Sequence, residues 1–379
     1  MASLETAVGG VPLACCVYNA SGPRSGSVEA LAKVGLSRAG AVLSKSATLK
    51  AQTGNPFPRY KEQDLGSRGA GSINSEGLPN KGIDYYLDAE AVRAATEANK
   101  PYFVSLSGLS LADNLEMFKR ASDVEGVTAI ELNVACPNIP GKPVIAYDFE
   151  QLEEVLEAVT THPSFGKKPL GVKLAPYFDM PHFKRAAEII NRFPIAFVVC
   201  INTIGNALIV DTEAEQPLIA PKGGFGGLGG GYVKQSALAN VRQMRMLLKD
   251  EIDVVGVGGV FTGADAFDLI LCGATAVQVA TCHWSEGPGC FNRIAGELEV
   301  LMKRKGYKSI DEFRGKLRPY DKARASKQLP QKPGTVSKGN GADPDVEAPP
   351  MHPDTIPAVL IGIIIVLLGM LVRANHLFD

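Results

Sequence analysis

Short apolar runs alternate with amphipathic stretches over the first 320 of the 379 residues of this chain. The apolar runs have the length of buried strands, and the stretches between them repeat apolar residues at helical spacing, as in FEQLEEVLEAV (149–159). Eight strands are predicted in this way, at 15–19, 41–45, 102–108, 129–133, 171–175, 197–202, 253–259 and 276–281.

Apolar strands that alternate with helices form a parallel sheet covered on both faces. Eight such units in one domain of this size favour a (β/α)8 TIM barrel, and a doubly wound sheet is the alternative. Because a barrel gathers its active site at the carboxyl ends of its strands, functional side chains are expected there.

The pattern changes after the barrel domain, which we place at residues 1–320. Residues 321–355 are rich in Pro, Gly, Lys and Asp, which predicts a flexible linker. Residues 356–372, IPAVLIGIIIVLLGMLV, carry no charge, and as a helix they would be about 26 Å long, close to the ~30 Å hydrocarbon core. We predict a transmembrane tail anchor with a short tail at 373–379 and the barrel facing the cytosol. The alternative is a buried core or oligomerisation helix.

Composition excludes several classes of protein. A formal net charge of -1 argues against a nucleic-acid-binding surface. The seven cysteines form no C-x-x-C pair and lie mostly in apolar runs, which favours a reducing compartment over a disulfide scaffold, a zinc ribbon or an iron–sulfur cluster. The five histidines show no paired spacing, so no metal is predicted.

Polar residues close several of the predicted strands. Lys45, Asn133, Lys173 and Asn202 each stand at or near the end of an otherwise apolar run. A single lysine at a strand end is ordinarily solvated. Four polar ends on one barrel rim indicate a site.

Two glycine-rich stretches carry different signals. GGFGGLGGG (223–231) contains G-x-G-x-x-G spacing, but no strand directly precedes it and it lies in a predicted long loop, so it is a weak dinucleotide fingerprint. Glycines that close the seventh strand, in GVGG (256–259), fit the phosphate site of a barrel. The alternative for these glycines is turn geometry alone.

Five longer motifs carry a family resemblance. They are GSINSEGLPNKGIDYYL (71–87), ELNVACPNIPGKPVIAYDFE (131–150), GVKLAPYFD (171–179), INTIGNALIVD (201–211) and KGGFGGLGGGYV (222–233). In this order they resemble class 1A dihydroorotate dehydrogenase over about residues 12–318. The resemblance implies a homodimeric, FMN-binding TIM barrel that oxidises dihydroorotate to orotate in pyrimidine biosynthesis, with fumarate, reduced to succinate, as electron acceptor. Class 1A enzymes are ordinarily soluble, so the predicted anchor is a departure, and a quinone is the alternative acceptor.

The resemblance also assigns residues to ligands. The FMN phosphate is expected at Gly230, Gly258, Gly259 and Thr281. The flavin is expected near Ala20, Gly22, Lys45, Ser46, Asn133, Lys173 and Ile201, with Lys173 stabilising the charge that develops on reduction. The orotate-binding residues correspond to Lys45, Asn74, Gly77, Leu78, Asn133, Asn138, Asn202 and Thr203. Asparagine suits a pyrimidine because its amide offers both a donor and an acceptor.

Cys136 is the candidate general base. Oxidation of dihydroorotate removes a C5 proton while a hydride leaves C6, and a thiol with a reference pKa of ~8.5 can take that proton if the site stabilises its thiolate. A lone cysteine is more often inert packing. Here Asn133 and Asn138 flank it at the family's spacing.

Two departures from the family pattern bear on the substrate. Glu76 stands where NSMGLPN usually has methionine, which adds a negative charge near an anionic substrate. Thr203 replaces a serine and keeps the hydroxyl. The rival hypotheses are a membrane-tethered scaffold or pseudoenzyme, and a related flavin barrel that acts on other pyrimidines.

Overall fold

A computed structural model describes residues 2–136 and 144–321. Its central sheet has eight parallel strands that follow one another around a barrel in chain order. The last strand pairs in parallel with the first, so the barrel is nearly closed. The (β/α)8 prediction is confirmed, in place of a doubly wound sheet. The strands are Val17–Asn19, Val42–Leu43, Tyr102–Leu106, Val127–Asn133, Leu170–Leu174, Phe197–Cys200, Asp253–Val257 and Ala276–Val279.

The first and second barrel strands are joined through a side chain. The Leu43 amide donates to Asn19 Oδ1 at 2.9 Å, and Asn19 Nδ2 donates to the Leu43 carbonyl at 2.7 Å. Asn19 is fully buried. Because its amide carries both a donor and an acceptor, it takes the place of a backbone pair where the strands diverge.

Helices follow the barrel strands and bury one apolar face each. In Phe149–Thr160 the buried positions are Leu152, Val155, Leu156 and Val159, the spacing of a helical stripe. Asp148 caps this helix by accepting from the amide of Gln151. The helices are Val28–Gly35, Ile83–Leu87, Ala89–Thr96, Leu111–Asp123, Phe149–Thr160, Met180–Ile190, Lys234–Leu247, Gly263–Cys272, Thr281–Glu286 and Gly289–Lys305.

Aromatic side chains fill the lower part of the barrel. The rings of Tyr18 and Phe103 meet edge to face at 5.9 Å, and those of Phe103 and Phe197 lie 6.1 Å apart. A Cβ at Gly171 would collide with the Phe197 ring, which explains a glycine at this position of the fifth strand. The barrel is therefore a packed core with its open end at the carboxyl ends of the strands.

A four-stranded antiparallel sheet is built from excursions between barrel strands. Its order is Ile204–Ala207, Gly226–Gly230, Ala70–Asn74 and Tyr60–Asp64. The interpretation of GGFGGLGGG as part of a long loop was therefore wrong. A Cβ at Gly227 would collide with Thr203, so close packing requires the glycines, and a strand of glycines shows no side-chain periodicity. Two short hairpins pair Thr6–Val8 with Val11–Leu13 and Val210–Asp211 with Gln216–Pro217.

The barrel unit extends to residue 318, and residues 319–379 form a second unit. Of the second unit only residues 319–321 are described. Within the described ranges, no helix is long and apolar enough to cross a membrane. The predicted transmembrane segment 356–372 lies outside them, as do the short tail at 373–379 and the predicted linker 321–355 except for its first residue.

Candidate active site

One cavity opens at the carboxyl ends of the barrel strands and extends to the antiparallel sheet. Gly77 lies between two lining residues without lining the cavity itself, and Asn138 lies outside the described residues. The remaining predicted site residues all line the cavity: Ala20, Gly22, Lys45, Ser46, Asn74, Leu78, Asn133, Cys136, Lys173, Ile201, Asn202, Thr203, Gly230, Gly258, Gly259 and Thr281.

Two lysines are buried in the cavity wall. Lys45 is 8% exposed and Lys173 is 5% exposed. Burial lowers the pKa of both ammonium groups, while Glu76 beside Lys45 and Glu131 beside Lys173 act in the opposite direction. Within residues 2–136 and 144–321, neither Nζ makes a hydrogen bond. Both lysines line the cavity, so this wall presents positive charge and suits an anionic or acceptor-rich ligand.

The asparagines at the ends of the fourth and sixth strands form a network. Asn202 Nδ2 donates to Asn133 Oδ1 at 3.4 Å and to the Ala135 carbonyl at 3.0 Å. Asn133 Nδ2 donates to Ser46 Oγ at 3.3 Å, and the Ala135 amide donates to Asn133 Oδ1 at 3.1 Å. These contacts orient amide groups that can read the donors and acceptors of a planar ring.

The third asparagine and the loop after it form another part of the wall. Asn74 ends a strand of the antiparallel sheet, and its Nδ2 donates to the Gly227 carbonyl at 3.1 Å. Gly77 and Leu78 have φ values of 70° and 55°. A left-handed backbone is uncommon for leucine, and such strain is concentrated at binding sites.

Three glycines and a threonine form the opposite part of the cavity. Gly230, Gly258 and Gly259 have positive φ values of 64°, 131° and 70°. A Cβ at Gly230 would collide with a neighbouring backbone carbonyl. Thr281 Oγ1 lies 3.3 Å from Ser72 Oγ. Backbone that lies open to a ligand, with hydroxyl groups beside it, is a suitable anion site.

A polar pair inside the barrel was missed by the sequence analysis. Gln278 lines the cavity, and its Nε2 donates to Glu131 Oε2 at 2.7 Å and to the Tyr18 hydroxyl at 3.2 Å. In the described part of the chain, Glu131 Oε1 and Gln278 Oε1 are buried without a hydrogen-bond partner. Burial raises the pKa of the Glu131 carboxyl, and Lys173 and Gln278 act against that rise. A charged residue in the apolar strand AIELN was the available signal.

An aromatic wall was also missed. The rings of Tyr60 and Trp284 lie 4.7 Å apart, and both residues line the cavity. Arg24 donates from Nη2 to the Trp284 carbonyl at 2.8 Å and lies over the indole ring. The two aromatic residues are far apart in sequence and belong to no shared motif.

Glu76, which stands where the family usually has methionine, lines the cavity. Its side chain is 13% exposed, and its Oε2 lies 3.5 Å from Arg59 Nε. Burial raises the pKa of the Glu76 carboxyl, while Lys45 and Arg59 act to lower it. The carboxyl group is thus placed between a cation in the cavity and a cation behind it.

Cys136 follows the fourth barrel strand by three residues and lines the cavity. All seven cysteines are free thiols, and the other six are buried. Its partial exposure at the cavity is what a reactive thiol needs and a packing cysteine does not. In the described ranges, no group of three or more His, Cys, Asp or Glu side chains could hold a metal ion.

The fold and the cavity define a TIM-barrel protein whose mouth combines a glycine-lined wall with buried lysines and oriented amides. Residues 3–302 match the family model of dihydroorotate dehydrogenase. Two curated relatives named dihydroorotate dehydrogenase A (fumarate) come from Lactococcus lactis subsp. cremoris strain MG1363 and subsp. lactis strain IL1403. Each is 49% identical over 318 residues, which cover 83% of this chain and 99% of the relative.

A crystal structure of DHODH in complex with ferulenol from Eimeria tenella has the same fold. Its TM-score is 0.69 at 21% identity, and the match covers 83% of this chain and 89% of that chain. The chain therefore belongs to the dihydroorotate dehydrogenase family, as the five sequence motifs predicted.

Proposed function

We propose that this protein is an FMN-dependent dihydroorotate dehydrogenase that oxidises dihydroorotate to orotate in the synthesis of UMP and uses fumarate as electron acceptor. The observation that carries the proposal is the one cavity that brings Lys45, Lys173, the three described asparagines and Cys136 together. The relatives named for the fumarate-linked enzyme support the choice of acceptor.

The cavity fits FMN. The glycines at 230, 258 and 259 and the Thr281 hydroxyl would hold the phosphate, because all four residues line the cavity and their positive-φ backbone and hydroxyl group can offer hydrogen-bond donors to an anion. The buried Lys173 ammonium, which makes no hydrogen bond in the described part of the chain, would find its acceptor on the flavin. The other flavin contacts would come from Ala20, Gly22, Lys45, Ser46, Asn133 and Ile201. When bound, FMN would supply the acceptor for the hydride that leaves the substrate.

Lys173 stabilises negative charge at the site. Its ammonium group lies in a wall from which water is largely excluded, and electrostatic stabilisation is stronger there than in water. The Glu131 carboxyl in the barrel interior acts on Lys173 to keep it protonated. Lys173 and Glu131 together determine how much positive charge this wall presents to a reduced cofactor.

The substrate is bound by charge and by amides. Lys45 would pair with its carboxylate, and the asparagine amides would pair with the imide edges of its ring. A site of this kind rejects analogues that leave the buried amides unpaired. The substrate contacts would be Lys45, Asn74, Gly77, Leu78, Asn133, Asn138, Asn202 and Thr203.

Cys136 takes the C5 proton. It lies at the cavity, three residues beyond Asn133, and close enough to Lys45 for the two groups to interact electrostatically. A nearby ammonium group stabilises a thiolate, which is the form that accepts a proton.

Anaerobic mixing of the holoenzyme with dihydroorotate tests the function. The flavin absorbance should bleach, and fumarate should restore it faster than a quinone or NAD does. If only the quinone restores the absorbance, the quinone is the electron acceptor. An absorbance that does not bleach would support the scaffold or pseudoenzyme hypothesis. Bleaching by uracil-type substrates instead would indicate a barrel for other pyrimidines.

The chain organisation that we propose is a barrel to residue 320, a linker over 321–355, a membrane anchor at 356–372 and a short tail at 373–379. The support is the uncharged run of 17 residues, which is long enough to span a bilayer. The barrel would then face the cytosol. The full chain should sediment with membranes and resist carbonate extraction, and a chain ending at residue 355 should not.

A second copy of the chain is the partner that we propose for an exposed apolar surface. Phe178 is 63% exposed and lines one groove together with the half-exposed Phe225. Contiguous apolar surface of this kind marks an interaction site. Light scattering of the barrel should give the mass of a dimer, and Phe178→Glu should shift it toward the monomer.

A further inference from the structure

Glu76 is held in the cavity wall by a partner that is itself fixed. Arg59 lies behind it with a side chain that is 14% exposed, and its Nε is 3.5 Å from Glu76 Oε2. Arg59 Nη1 donates to the Thr53 carbonyl at 2.8 Å and to the Asn55 carbonyl at 3.0 Å. Because two carbonyl groups hold Nη1, the guanidinium group stays in place beside the Glu76 carboxyl group.

Two cations and one hydroxyl surround this carboxyl group. Lys45 lines the cavity beside it and Arg59 lies behind it, and both act to lower the pKa that burial raises. The Tyr60 hydroxyl is also within its electrostatic reach, although that hydroxyl donates to Glu62 at 2.7 Å. An ionised Glu76 therefore offsets part of the positive charge that Lys45 offers to a ligand.

We propose that Glu76 is a specificity-determining residue that makes the cavity select ligands by their charge. Coulomb energy is proportional to the product of the charges, so a carboxylate in the wall opposes a dianion about twice as strongly in free energy as a monoanion in the same place. Because affinity depends exponentially on free energy, doubling the free-energy penalty squares the factor by which the affinity falls. If Glu76 weakens a monoanion about threefold, it weakens a dianion about tenfold.

This inference rests on the proposed function, in which the two substrates share the cavity and differ in charge. Dihydroorotate and orotate carry one carboxylate, whereas fumarate carries two. Glu76 therefore penalises the acceptor more than the donor, and a neutral residue in its place would favour reoxidation by fumarate.

The test measures the binding of orotate and of fumarate to the oxidised, full-length holoenzyme at low salt. The change in flavin absorbance reports how much ligand is bound. Glu76→Gln removes the charge and keeps the shape, and Glu76→Met is a second neutral variant in case the first is poorly folded. Glu76→Asp keeps the charge. Glu251→Gln is the matched control, because Glu251 is exposed and does not line the cavity.

Both neutral variants should bind orotate about threefold and fumarate about tenfold more tightly than the wild type. Glu76→Asp and Glu251→Gln should stay within about twofold of the wild type. Lowering the pH protonates Glu76 in the wild type, whereas any protonation of the ligands affects both proteins, so the fumarate-to-orotate affinity ratio should rise in the wild type relative to the ratio in Glu76→Gln. Equal changes for the two ligands, or none, would overturn the proposal.

Failure of the proposed function gives a different result. In that case dihydroorotate does not bleach the wild-type flavin, whereas the comparison of a monoanion with a dianion still measures the effect of Glu76. Flavin content and thermal unfolding, measured for each variant, separate an altered charge from an altered fold.

Discussion

Asn202 Nδ2 donates to Asn133 Oδ1 over 3.4 Å, and this contact joins the ends of the sixth and fourth barrel strands. The fifth strand lies between them and carries Lys173, whose Cα is paired with Asn133. Two amides and one ammonium group are therefore fixed by neighbouring strands of a rigid barrel. This arrangement presents donors, an acceptor and a positive charge to one ligand without loop rearrangement.

Asn202→Ala should lower kcat/KM for dihydroorotate by about 10- to 100-fold, because it removes a ligand contact, takes the donor from the Ala135 carbonyl and leaves Asn133 Oδ1 with the Ala135 amide alone. Steady-state kinetics with saturating fumarate measures the change. Asn292→Ala, at an exposed helix position, is the control and should leave kcat/KM within about twofold. An unchanged value in Asn202→Ala would remove this amide from the site.

Lys173→Met should make the bound flavin harder to reduce, because the site loses the positive charge that stabilises the reduced form. The midpoint potential, measured by dye equilibration, should move to more negative values. Lys249→Met removes an exposed lysine and should leave the potential unchanged. A potential that is the same in Lys173→Met and the wild type would show that this ammonium group does not act on the flavin.

Asn19→Leu should lower the free energy of unfolding by about 2–4 kcal/mol, since the amide and the carbonyl of Leu43 lose their buried partners. Urea denaturation measures the loss, and the slope of the free energy of unfolding against urea concentration should be unchanged. Gln235→Leu replaces an exposed amide on a helix and should cost less than about 1 kcal/mol. A small loss in Asn19→Leu would mean that the barrel closes without this side chain.

The free energy of unfolding should decrease as the pH is lowered, because of His283. Burial lowers the pKa of this imidazole from 6.5 to about 4. The unfolded chain therefore binds a proton that the folded chain does not between these two values. The contribution is complete above pH 6.5 and is lost as the pH falls toward 4, by about 3 kcal/mol in all. Urea unfolding across this range measures it, and His283→Phe should remove that part of the slope. The same slope in both proteins would contradict the assignment.

The sequence was sufficient for the barrel strands because each is a short apolar run, although boundaries shifted, as for 41–45 against the observed Val42–Leu43. Most of the cavity could also be predicted, because polar strand ends and family motifs are visible in short stretches of sequence. The strand Gly226–Gly230 could not be seen, since glycine leaves no pattern of side chains. The Glu131–Gln278 contact joins residues 147 positions apart and exists only once the barrel closes.

The central claim is that Cys136 accepts the proton when dihydroorotate is oxidised. Anaerobic stopped-flow mixing of the holoenzyme with dihydroorotate measures that step alone, because the acceptor is absent. Cys136→Ala should slow flavin reduction by about 10²-fold or more, the usual contribution of a general base. Cys200→Ala, which alters a buried thiol outside the cavity, should reduce at close to the wild-type rate. Equal rates of reduction in Cys136→Ala and the wild type would contradict the claim.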